Sequence, residues 1–108
     1  MNRRADIYFG SKLAGMLEET DDYYIFTYSK EYLSDPNNLP ISLTLPLREE
    51  SYESRQLFPF FDGLIPEGWL LSIVEKNWKV NHRDRMGLLL VACRDCIGSI
   101  SIIQKELE

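Results

Sequence analysis

The feature that most constrains this chain is a change of period near Ser54: apolar residues alternate with polar ones before it and recur at three and four after it. A period of two sends successive side chains to opposite faces of a strand, whereas spacings of three and four line one face of a helix. In the first half, Ile7 and Phe9 alternate about Tyr8, and Leu13 to Leu17 do the same after Gly10-Ser11, which predicts a hairpin. Tyr23 to Tyr28 is dense in aromatic and β-branched residues and predicts a third strand. Lys30 to Leu33 allows one helical turn, after which Asp35, Pro36, Asn37, Asn38 and Pro40 force a loop. Ile41, Leu43 and Leu45 against Ser42 and Thr44 predict a half-buried strand closed by Pro46.

In the second half, Leu57, Phe58, Phe61, Leu64 and Ile65 predict a short helix with Pro59 in its first turn and its end at Gly63. A longer helix is expected from Pro66 to about Lys79, because proline suits the first helical position and Glu67 complements the positive end of the dipole. Asp84 reads as the cap of a third helix through Met86, Leu88, Leu89, Leu90 and Val91, apolar nearly all round and so deeply buried. Ile100 and Ile102 then alternate with Ser99 and Ser101 in a closing strand. Strands, helices and a last strand make an α+β fold, a mainly antiparallel sheet with about three helices packed on one face.

At 108 residues the chain is expected to form a single domain over residues 1–108. A net charge of −5 opposes direct nucleic-acid binding, which draws its affinity from clustered Lys and Arg; here Arg3, Arg4, Arg83 and Arg85 are scattered among acids. No apolar run approaches the ~20 residues of a membrane span, and the N-terminus lacks the layout of a signal peptide, so a cytoplasmic protein is expected.

Catalytic and metal chemistry find little support. Cys93 and Cys96 form a C-x-x-C, but a zinc site wants four ligands and only the lone His82 accompanies them. The pair follows a predicted helix instead of opening one, so the dipole that activates redox thiols is missing, and two small reduced residues in a turn is the plainer reading. His82 sits in a polar loop without a nucleophile motif, and no phosphate-cradling glycine pattern occurs. Paired acids such as Asp21 with Asp22 and Glu49 with Glu50 read as solvated faces. The chain is expected to have no catalytic residue, metal or cofactor of its own, and to act by binding protein through the surface around Phe58 to Leu71.

On a helix from Pro66, at ~100° per residue, Pro66, Leu70, Ile73, Val74 and Trp78 share one stripe, with Ser72, Glu75, Lys76 and Lys79 opposite. Trp69 projects about 120° from the stripe's centre, on a face with Ser72 and Lys76. An indole facing water is the kind of residue that anchors interfaces; the alternative is that it folds back and fills core. The candidate partner-binding residues are thus Trp69, Glu67, Asp62, Ser72 and Lys76. Asp62 can equally cap the turn before Pro66, and Glu67 can simply complement the helix dipole.

The run Phe60-Phe61-Asp62-Gly63-Leu64-Ile65-Pro66-Glu67-Gly68, read with Arg94-Asp95-Cys96-Ile97-Gly98-Ser99-Ile100, resembles the N-terminal subdomain of HipA-type serine/threonine kinases. Phe26-Thr27-Tyr28, Tyr32-Leu33 and Ile41-Ser42-Leu43-Thr44-Leu45-Pro46-Leu47 extend the likeness over nearly the whole chain. The chain departs from long members at Cys93, where they usually carry Gly, and at Leu71, where they often carry a basic residue. In those members the kinase core follows this region; here the sequence ends at Glu108, which implies that the ATP site is absent. A free-standing domain of this kind resembles the small HipS-like antitoxins, whose systems also contain a shortened HipT-like serine/threonine kinase and a HipB-like DNA-binding protein. The resemblance implies docking on a separate HipT-like kinase, with a HipB-like protein as a further member of the complex. Inhibition of that kinase, completion of its fold, and an independent C-x-x-C function remain three distinct expectations.

Overall fold

The structure, a computed structural model, describes residues 3–65, 76, 84–92 and 100–105. Its framework is a five-stranded antiparallel sheet of order β4-β3-β2-β1-β5. The strands are β1 (Arg3–Phe9), β2 (Lys12–Glu19), β3 (Tyr24–Tyr28), β4 (Tyr52–Ser54) and β5 (Ile100–Lys105). Between them lie the helices α1 (Lys30–Ser34), α2 (Pro59–Asp62) and α3 (Arg85–Ala92).

The predicted hairpin forms, and both strands run further than the alternation showed. Gly10 takes φ +63°, a left-handed turn conformation that suits glycine, and the β1–β2 register shifts between Ile7 and Tyr8. Ala5 pairs with Leu17 and Leu17 with Phe26, while Ile7 pairs with Ile102. These residues are buried and form the apolar face of the sheet, with Met86, Leu88, Leu89 and Leu90 of α3 in the same core. Asp84 caps α3 as expected: its carboxylate accepts from the Gly87 N–H at 3.1 Å and its carbonyl from the Leu88 N–H at 3.0 Å. The expected helix over 66–79 lies outside the described residues except at Lys76, which is helical and exposed.

Residues 41–45 are not a strand. Ile41 and Leu45 are buried, yet Leu43 is 95% exposed, and Ser42 and Leu45 make only an isolated bridge. The Ser42 carbonyl accepts from the Leu45 N–H at 3.1 Å, and the Ser42 hydroxyl accepts from the Thr44 N–H at 3.2 Å. The result is a turn with Leu43 at its tip, between Pro40 and Pro46, neither of which has an N–H for a ladder. The fourth strand is instead β4, three residues whose Tyr52 pairs with Phe26.

Two tyrosines hold the long connection from α1 to β4. Their rings stack at 6.0 Å with planes 6° apart. The Tyr28 hydroxyl accepts from the Ile41 N–H at 3.1 Å and donates to the Leu45 carbonyl, and the Tyr32 hydroxyl donates to the Leu39 carbonyl at 2.5 Å. Burial pushes the Tyr28 phenol up to about 12, so it stays protonated as a donor across the physiological range. No helix among the described residues is long and apolar enough to cross a membrane.

Candidate partner-binding surface

The first half of the expected surface, Phe58 to Ile65, is mostly a wedge into the core. Pro59 opens α2 at a position that requires no N–H, and Phe61 behind it is fully buried. Its ring lies 5.6 Å from that of Phe26, 6.2 Å from Phe58 and 5.2 Å from Phe60, all tilted or edge-on. Leu57, Phe58 and Ile65 are buried as well, while Phe60 and Leu64 pack partly against the same cluster. Pro59 and Gly63 face solvent, and Asp62 is half-exposed.

Asp62 is engaged within the chain. Its Oδ1 accepts from Arg85 Nε at 2.7 Å, which fastens the end of α2 to the first residue of α3. With the two side chains 43% and 35% accessible, the pair contributes at most about 1 kcal/mol and matters more for position. Beside it opens a cavity of about 450 Å³ lined by Tyr24, Arg55, Gln56, Leu57, Pro59, Asp62 and Arg85. Burial, with the Glu19 carboxylate adding to it, raises the Tyr24 phenol, which therefore stays neutral. The Arg55 guanidinium stands 5.7 Å from the centre of the Tyr23 ring. Two guanidiniums, one carboxylate and one phenol can meet polar side chains of a partner.

A second polar cluster ties the sheet to α3. Arg3 donates from Nε and Nη2 to Glu19 at 2.6 and 2.9 Å, and from Nη1 and Nη2 to Asp84 at 2.9 and 2.7 Å. Its hydrogen bonds hold the Asp84 carboxyl below the usual carboxylate range. Gly87 leaves the space this needs: a Cβ there would lie 2.4 Å from Asp84 Oδ2 and 3.1 Å from Arg3 Nη1. Among the described residues no group of three His, Cys, Asp or Glu side chains is arranged to hold a metal.

Of the residues expected from sequence, the structure places Asp62 at the rim of the cavity and Lys76 exposed on helical backbone. Glu67, Trp69 and Ser72 lie outside the described residues, as do His82, Cys93 and Cys96. Arg55 and Arg85 were not expected there. Asp62 and Arg85 are 23 positions apart, and no local spacing signals their meeting.

The model of a family described as HipA N-terminal domain matches residues 5–103. A solved structure titled N-terminal domain of HipA toxin superposes with a TM-score of 0.73 at 26% identity, covering 98% of this chain and 95% of that one. An uncharacterized protein of Haemophilus influenzae is 26% identical over 104 residues, 96% of this chain and 94% of its own length. The putative kinase Y4mE of Sinorhizobium fredii is 32% identical over 83 residues, which make up 77% of this chain but only 20% of the kinase.

Proposed function

The chain belongs to the HipA N-terminal domain family, and from that premise we propose that it is a HipS-like antitoxin that binds and inhibits a separate HipT-like serine/threonine kinase toxin. The observation that carries the reading is the contrast between two relatives. In the S. fredii putative kinase the matched region is a fifth of the protein, whereas in H. influenzae it fills 94% of a protein of its own. A domain that occurs both inside a longer chain named for a kinase and nearly by itself is suited to act on such a kinase from outside.

The surface that would do so begins at the α2–α3 corner. There Asp62 and Arg85 set the rim. Lys76, exposed on helical backbone, is proposed as part of the same contact. Trp69, Glu67 and Ser72 complete the proposed contact, with Trp69 as the anchor, since a buried indole contributes large contact area at little rotamer cost. A HipB-like DNA-binding protein is the proposed third member of the complex, which acts in the cytoplasm.

The S. fredii relative also favours a second reading, in which the domain completes a split kinase and raises its activity. One assay separates the two by sign: autophosphorylation of the purified HipT-like kinase with increasing amounts of this chain. The inhibitor reading expects activity to fall with saturation at one equivalent, and Trp69→Ala to blunt that fall without lowering the melting temperature. Activity that rises, or stays flat in a complex shown to form, sinks it.

A further inference from the structure

The connection between α1 and β4 carries a feature the α2–α3 corner does not use. Leu39 and Leu43 are 65% and 95% exposed. A single leucine in water is ordinary. These two sit four positions apart on a segment whose backbone is fastened between them and on either side. The Tyr32 hydroxyl holds the Leu39 carbonyl, the Tyr28 hydroxyl holds Ile41 and Leu45, and the Asn38 amide donates to the Tyr32 carbonyl at 3.0 Å. Lys12 Nζ in turn donates to the Asn38 side-chain oxygen at 2.7 Å. Ile41 and Leu45 plug into the core, and the Ser42 hydroxyl shapes the tip.

The cost of ordering this loop is met on folding, before any partner arrives. What remains for a contact is the burial of two apolar side chains, with little backbone entropy left to lose. Leu43 at the tip makes almost no contact with its own domain, so its side chain contributes nothing to the fold that a serine would lack.

We propose that the Leu39–Leu43 loop is a second docking element, which seats Leu43 in an apolar pocket of the partner kinase. This rests on the kinase-binding reading given above. A kinase suits the site better than a second copy for two reasons. Two copies each carry a net charge of −5 and repel, and in the S. fredii relative the matched segment is only 20% of the chain, so the rest is a neighbour large enough to cover the loop.

The test is titration calorimetry of Leu43→Ser and Leu39→Ser against a purified HipT-like kinase, with wild type as reference. Both variants are expected to keep the wild-type melting temperature. Leu43→Ser is expected to weaken binding about tenfold or more, with a smaller loss for Leu39→Ser. Wild-type binding with undiminished affinity in Leu43→Ser overturns the loop assignment and leaves the kinase reading standing. Absence of wild-type binding overturns both. A wild-type chain that sediments as a dimer, dissociated by Leu43→Ser, assigns the loop to self-association and overturns the proposal as well.

Discussion

Asp84 carries two separable duties, and single substitutions can divide them. Its carboxylate caps α3 through the Gly87 N–H and receives two hydrogen bonds from Arg3, which bridges to β2 through Glu19. Asp84→Ala removes both and is expected to cost about 1 to 2 kcal/mol, typical of a lost cap. Asp84→Asn keeps a capping oxygen and loses the charge, so it should cost less. Because the folded carboxyl is held below its ordinary value by Arg3, the stability it adds is complete above the usual carboxylate range, near pH 4. It is lost as pH falls further, through the depressed folded value. Urea unfolding of wild type and Asp84→Asn across pH 2 to 6 should therefore give curves that converge at the acid end and separate above about pH 4. A constant gap across that range would show that the charge on Asp84 is irrelevant to stability.

Among the elements, those with a long or one-sided apolar pattern were legible and those made by distant partners were not. The β1–β2 hairpin follows from alternation about Gly10, and α3 from Asp84 ahead of an apolar run. β4 was missed because Tyr52-Glu53-Ser54 carries little strand pattern; it exists because Tyr52 finds Phe26 across the sheet edge. The opposite error fell on 41–45, where a turn with two buried flanks mimics period two: Ile41 and Leu45 point inward while Leu43 does not. The candidate site divides in the same way. Asp62 could be named from sequence, but its partner Arg85 could not, since their contact depends on how α2 and α3 meet. The same packing makes α2 a sharp test, because its four residues contain both extremes of exposure. Phe61→Ala should cost about 3 to 5 kcal/mol, since a fully buried ring leaves a cavity among Phe26, Phe58 and Phe60. Pro59→Ala, two residues earlier and exposed to water, should change stability by less than about 1 kcal/mol. Thermal melts of the pair would reveal comparable losses if the corner were a surface rather than a wedge.

At the scale of the whole molecule, the strand order places β1 beside β5, so among the described residues the sheet is completed only when residues 100–105 return to residues 3–9. The Arg3–Asp84 bridge closes the same circuit over 81 residues. Loop-closure entropy makes such pairings late, while a hairpin joined at Gly10 forms early. Leu17 in the hairpin and Ile102 in β5 are both fully buried and occupy the same apolar face. Truncating either to alanine should therefore cost a similar amount, about 2 to 5 kcal/mol, yet act on opposite limbs of the kinetics. Leu17→Ala should mainly slow folding, and Ile102→Ala should mainly speed unfolding, as stopped-flow fluorescence across a urea series would show. Equal slowing of folding by both variants would mean that β1 and β5 pair in the transition state. The order bears on function, because α3, which supplies Arg85 to the proposed contact surface, packs into the core that β5 completes. Ile102→Ala should then weaken kinase inhibition only at temperatures where it also unfolds the chain, whereas a residue that touches the partner would weaken it in the fully folded state.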